Sequence, residues 1–360
     1  MTSPQADTGS LGGPSSHRAP LGHRAPLGAP RSGRGPRGRR PGSLLAGALA
    51  AGLSLAGLAA CSSDSSEADG GRPSVVTSFY PLQYVTERIA GDTISLSSLT
   101  KPGAEPHELE LTPQDIASVH DADLVVYLSK FQSAVDDAVS SSGGSKALDV
   151  AEAARLGLPA GSEHDHEHET TQPGGSEQPA ESEHDHGDTD PHFWLDPTRL
   201  ADVADAVAAQ LKSLAPEHAD TYTTNAATLH KELLALDAEY AGALKNCTSK
   251  EIVTAHEAFG YLAARYGFEQ HGITGLIPEE EPGAAAIAEI VKLVQTKKIR
   301  TVYYEILVNP DIARTVASEA KVTTAVLDPI GNLSDKSAAQ DYPGVMHANL
   351  ASLVKGQGCS

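Results

Sequence analysis

The chain has 360 residues and a formal net charge of −20, with 15 histidines and only three cysteines. Such acidity argues against nucleic acid as a partner and suits a secreted protein that attracts cations. Once its two ends are set aside, the length exceeds a typical single core and points to two domains.

Residues 1–42 hold seven arginines and one aspartate, and residues 43–60 are continuously small or apolar, ending Leu58-Ala59-Ala60-Cys61. A basic lead, an apolar core and small residues before a cysteine read as a secretory signal with a lipobox over 1–60. Cys61 would then be diacylated, holding the protein at the outer face of the plasma membrane through a polar tether, 61–72. A transmembrane anchor is the competing reading, because 18 apolar residues approach the spanning minimum of about 17. Polar Ser62-Ser63-Asp64 and the Ala/Gly-rich core favour the lipobox. The long lead is consistent with a start codon further downstream. Loss of residues 1–60, which carry +6, leaves a chain of −26.

Beyond the tether, short apolar runs at Val75–Phe79, Leu124–Leu128, Ile252–Ala255, Val302–Glu305 and Thr323–Leu327 read as strands. They alternate with helical patterns such as Ile287, Ile290, Val291 and Val294. Fully apolar strands between amphipathic helices indicate an α/β fold with parallel sheets covered on both faces. Between the two groups of strands, residues 216–246 carry Leu229, Leu233, Leu236, Tyr240 and Leu244 at steps of three and four. A helix of that length spans about 45 Å, natural for a strut joining two lobes. The expected layout is an N-terminal lobe at 73–215, the linking helix at 216–246 and a C-terminal lobe at 247–360. No internal sequence repeat is evident. In an oxidising compartment Cys247 and Cys359 are expected to pair as a disulfide.

Within the first lobe lies a low-complexity tract, 163–188, with His164, His166, His168, His184 and His186 among Asp and Glu. As composition alone it could be a solvated, disordered loop. Its mixture of nitrogen and oxygen ligands also suits Zn²⁺ and its neighbours. The tract runs into a specific segment, Asp190-Pro-His-Phe-Trp-Leu-Asp-Pro197. Ligands of open parallel sheets sit beyond the carboxyl ends of the strands. Those positions hold His107, after a strand-like Ile94–Leu99 and a Pro-Gly turn, and His256, Glu305 and Asp328; His192 follows the tract. Singly, each has an ordinary explanation as a turn, cap or surface residue. Jointly, His107, His192, His256 and Asp328 supply three imidazoles and a carboxylate, a complete four-coordinate zinc shell. His120, His218, His230, His271 and His347 are assigned no role.

The chain resembles the metal-binding lipoproteins and periplasmic proteins of ABC importers for zinc and manganese, especially the zinc branch. The resemblance covers residues 73–360. It rests on Ser78-Phe-Tyr-Pro-Leu82, Pro102-Gly-Ala-Glu-Pro-His107, Ala122-Asp-Leu-Val-Val126, Asp190–Pro197, Thr254-Ala-His-Glu-Ala-Phe-Gly-Tyr261, Glu281-Pro-Gly283 and Leu327-Asp-Pro-Ile-Gly331. It implies two α/β lobes joined by one long backbone helix, with Zn²⁺ held between them by His107, His192, His256 and Asp328. It further implies delivery to an ABC permease with its ATPase subunit, by a monomer that performs no chemistry. A His-rich insertion before the second ligand is typical of the zinc branch, where the five tract histidines would be weak auxiliary sites. Manganese members carry a carboxylate where this chain has His256, and three imidazoles favour zinc. Some zinc members take water or a glutamate as fourth ligand, so Glu305 and Glu105 are reserves. The segment Tyr127-Leu-Ser-Lys-Phe-Gln132 departs from the Gly- and Glu-containing pattern of many members.

Two other classes remain open on sequence. The lipid anchor and acidic surface also allow a manganese- or other divalent-metal-binding protein or a metal-dependent adhesin. A zinc hydrolase could use the three histidines with water, but His256-Glu257-Ala-Phe-Gly260 lacks the second histidine of a zincin helix.

Overall fold

Short strands assemble into two four-stranded parallel sheets in the computed structural model, which describes residues 71–144, 146–159 and 189–360. The signal segment, Cys61, and His164, His166, His168, His184 and His186 lie outside the described residues.

The first sheet contains β1 (Ser74–Thr77), β2 (Ser95–Ser98), β3 (Leu124–Tyr127) and β4 (Ala147–Asp149), in the order β2-β1-β3-β4. Its crossovers are α1 (Tyr80–Ala90), α2 (Pro113–Asp121) and α3 (Ser133–Ser141), followed by α4 (Pro197–Leu214) and α5 (Ala219–Ala243). The second sheet contains β5 (Glu251–Thr254), β6 (Glu269–Gly272), β7 (Thr301–Tyr304) and β8 (Thr323–Val326), in the order β6-β5-β7-β8. Around it run α6 (Gly260–Tyr266), α7 (Ala284–Thr296), α8 (Asp311–Ala320) and α9 (Tyr342–Gln357). The two sheets share one strand order although their sequences show no repeat.

Local signals set the helix starts. Thr112 and Asp115 form a reciprocal capping box on α2, with Pro113 in its first turn. Asp196 caps α4 by accepting from the Thr198 amide, and Asp341 caps α9 by accepting from the Gly344 amide. The α5 stripe buries Tyr222, Ala226, Leu229, Leu233, Leu236 and Tyr240. Its contacts are chiefly with α4 and α1. At 25 residues it runs about 37 Å. The helical pattern read over 216–246 opens as a 3₁₀ turn, Pro216–His218, before the α-helix proper begins.

One buried cluster runs continuously from Val75 and Phe79 through Trp194 and Leu229 to Tyr261, Tyr303, Tyr342 and Leu353. Two smaller clusters fill the outer faces, one around Val76, Val125 and Val135 and the other around Val253, Ile290, Val302 and Val316. Each sheet is thus covered on both sides, and the lobes share their main core. Cys247 and Cys359 form a disulfide across 112 residues, next to hydrogen bonds from Thr248 to Gly358 and from Ser360 to Asn246. No helix among the described residues is long and apolar enough to cross a membrane.

Candidate metal centre

Strand order decides where loops meet. The loop after β2 carries His107, the turn before α4 carries His192, and His256 lies two residues past the end of β5. One donor atom from each of the three lies within 4.8 Å of the others. The Nε2 atoms of His107 and His192 are 3.1 Å apart. Four nitrogens around a tetrahedral zinc stand about 3.3 Å from one another, given metal–nitrogen bonds of about 2.0–2.1 Å. His192 and His256 are each 1% exposed, and His107 is half-buried.

The second ring nitrogen is committed in both buried histidines. His192 Nδ1 donates to Asp190 Oδ1 at 2.9 Å, and His256 Nδ1 donates to Glu305 Oε1 at 2.6 Å. These bonds select the tautomer whose Nε2 lone pair faces the other rings. His256 Nε2 is buried and has no hydrogen-bond partner among the described residues. A buried acceptor without a donor is costly unless something else fills the position. Behind the rings stand Phe131, T-shaped to His107 at 4.8 Å, and Trp194, 5.2 Å from His192.

Glu305, a reserve fourth ligand, spends one oxygen holding His256 in place. Asp190 was not singled out as a site residue, yet its Oδ1 accepts from both the His192 amide and the His192 ring. The Asp-Pro-His spacing was the available signal, because aspartate commonly bonds the backbone two residues on.

Asp328 lies outside the group of three nitrogens. Its Oδ1 accepts from the Ile330 amide, while its Oδ2 is buried without a partner among the described residues. Asn349 brackets its backbone, accepting from Asp328 N and donating to Asp328 O. Glu105, the other reserve, accepts from the amides of His107 and Glu108 and so shapes the turn that presents His107.

Burial dominates the electrostatics. It pushes the Glu105 carboxyl up to about 8, with Glu279 adding to the rise, and Asp190 up to about 7. Asp328 rises to about 6, again through burial and with Glu305 contributing. Burial and the neighbouring His256 hold His192 well below the usual imidazole range. Burial pulls His256 down as well, but the Glu305 carboxylate, joined by Glu105 and Glu279, outweighs it and the net shift is upward. Buried carboxyls that resist ionisation around convergent imidazoles are the arrangement that an entering cation relieves.

A second group, Glu251, Glu269 and His271, also brings its donors within 4.8 Å of one another. It sits at the opposite end of β5 from His256. His271 and the Lys297 ammonium each reach Glu251 at 2.7 Å, so the Glu251 carboxylate already has two partners. His120, His230 and His347 stand beside Asp121, Asp205 and Glu239 at the surface.

A family model described as zinc-uptake complex component A, periplasmic, matches residues 75–356. The zinc-binding protein AdcA of Streptococcus pyogenes is 39% identical over 287 residues, covering 79% of this chain and 56% of that protein. The chain thus spans about half the length of the streptococcal relatives it matches. The high-affinity zinc uptake system protein ZnuA of Bacillus subtilis is 34% identical over 302 residues, covering 82% of this chain and 92% of that protein. Among solved structures, the Zn(II)-bound ZnuA-like domain of Streptococcus pneumoniae AdcA superposes with a TM-score of 0.64 at 32% identity, covering 80% of this chain and 99% of that one. The laminin-binding protein Lmb of Streptococcus agalactiae, described as having adhesin and metal-transporting activity, gives 0.65 at 30% identity over 79% of this chain and 99% of that one. Matched from β1 to α9, the chain belongs to the family of periplasmic A components of zinc-uptake complexes.

Proposed function

We propose that this chain captures one Zn²⁺ between its lobes and delivers it to an ABC permease, held at the outer face of the plasma membrane through Cys61. The observation that carries the reading is the convergence of three imidazoles, with His256 Nε2 buried and unpartnered. Three neutral imidazoles favour zinc over manganese, which prefers more oxygen ligands. Asp328 supplies the fourth ligand through Oδ2, bringing the shell to the preferred four. The relatives are named for zinc binding and uptake, which supports a carrier without chemistry of its own. Of the tract, His164, His166, His168, His184 and His186 act as weak collectors beside the tight site.

Zinc titration of the mature protein, with and without residues 163–188, tests this reading. One tight equivalent should survive the deletion while weak equivalents disappear, and His192→Ala should abolish the tight one. A deletion that removes the tight site would sink the two-site scheme.

The likeness to a laminin-binding protein favours a second reading, adhesion. Binding of the zinc-loaded and chelator-treated protein to immobilised laminin decides it, with no zinc-dependent difference counting against it.

A further inference from the structure

We infer that Asn332 is a positioning residue for metal retention, clamping the loop that carries His107 to the loop that carries Asp328. The inference rests on the zinc-capture reading and deepens it.

Asn332 belongs to the loop after β8, four residues past Asp328, and is 3% exposed. Its side-chain amide donates to the carbonyls of Lys101 at 2.6 Å and Ala104 at 2.8 Å, both in the turn that leads to His107. Its Oδ1 accepts from the Leu333 amide at 2.9 Å. A backbone bond from Gly103 N to Leu333 O, at 2.7 Å, joins the same two loops. A side chain at Gly331 would place its Cβ 2.9 Å from Pro106 Cγ, so the loops touch because position 331 has none. Trp194 Nε1 donates to Pro329 O at 2.6 Å, which ties the His192 turn to the residue after Asp328. Within the first lobe, buried Gln132 donates to Pro106 O, so the residue before His107 is held from both sides.

These bonds cross between the lobes beside the ligands and add polar ties to the shared core, which reaches Trp194 and Ile330 there. Parting the lobes at the site means breaking both Asn332 bonds and the Gly103–Leu333 bond. Asn332 therefore sets how closely the Asp328 loop approaches the three imidazoles, and how fast a bound ion escapes.

Asn332→Asp keeps the shape and the acceptor but replaces two donors by an oxygen facing two carbonyls. Gly331→Ala removes no hydrogen bond and wedges the same loops apart. The experiment follows release of Zn²⁺ from the full mature chain to excess chelator by stopped flow, where the slow phase reads the tight site. Both variants should speed that phase by ~10–100-fold, the usual scale for partners that orient metal ligands. The Co²⁺-substituted forms should show altered d–d absorption. Leu236→Ala, in the buried stripe of α5, is the control: it lowers thermal stability and should leave slow-phase rate and Co²⁺ spectrum unchanged. Wild-type rates and spectra in both loop variants overturn the inference while leaving zinc capture intact. A wild-type chain without a slow phase overturns zinc capture itself, and the inference with it.

Discussion

His192 and His256 are both buried imidazoles with a carboxylate behind Nδ1, yet their proton affinities move in opposite directions. The Glu305 carboxylate keeps His256 protonatable at the higher pH, so protons compete with metal there first as the medium acidifies. Removing that carboxylate lowers the proton affinity of His256 and weakens its hold on the ring. Glu305→Gln should therefore bind zinc ~10–100-fold more weakly at neutral pH. It should also lose binding at a lower pH than the wild type, as read from zinc titrations across the histidine range. Glu105 carries a different prediction. Its folded carboxyl titrates near 8 against an ordinary 4.5, so the folded metal-free chain binds more protons than the unfolded one between those values. Stability falls as pH rises through that window. Glu105→Gln, which can still accept from the His107 amide, should raise the melting temperature of the metal-free chain above pH 8. The gain should vanish below about pH 4.5, the bottom of the same window.

At the scale of elements, α9 and β7 meet tightly at Gly356. A Cβ at Gly356 would fall 2.0 Å from Tyr303 Oη, and that hydroxyl is buried without a hydrogen-bond partner among the described residues. Tyr303→Phe should be neutral or stabilising by about 1 kcal/mol, since an unsatisfied buried hydroxyl is a desolvation cost. Gly356→Ala alone should cost ~1–3 kcal/mol through overpacking. The double variant should recover part of that loss, because the clash with Cζ at 2.9 Å persists. Denaturant unfolding of the four proteins in the cycle measures the coupling, and purely additive effects would show that the two residues do not meet. Element type was readable wherever burial imposed a pattern, as in β1, β3, β5 and the α5 stripe. It was not readable in β4 (Ala147–Asp149) or β6 (Glu269–Gly272). Both are edge strands, and Glu-Gln-His-Gly shows how little apolar character an edge requires.

For the whole molecule, the disulfide and the shared core matter most. Cys247–Cys359 closes a loop of 112 residues, for which chain entropy alone predicts about 4–5 kcal/mol of stabilisation. Replacing both cysteines by serine should lower the melting temperature accordingly. The bridge lies at the amino end of β5, opposite to His256, so zinc affinity should be unchanged when measured below the new transition. A core continuous across both lobes favours small adjustments at the ligand loops over wide hinge opening.

By itself the sequence determined the kinds of element and the chemistry available. Apolar runs of four or five residues require buried parallel strands, and imidazoles at their ends offer nitrogen to a cation. It also pointed to His107, His256 and Asp328, which follow strand ends where a parallel sheet places ligands, and to His192, which closes the His-rich tract. Only the tertiary structure decided what surrounds them. That Glu305 and Asp190 orient rings, that Asp328 stands apart from the three nitrogens, and that Asn332 bridges two loops 228 residues apart all depend on distances. Those distances follow from packing two sheets of one strand order around a common core. Local propensity and spacing carry no information about contacts of that range.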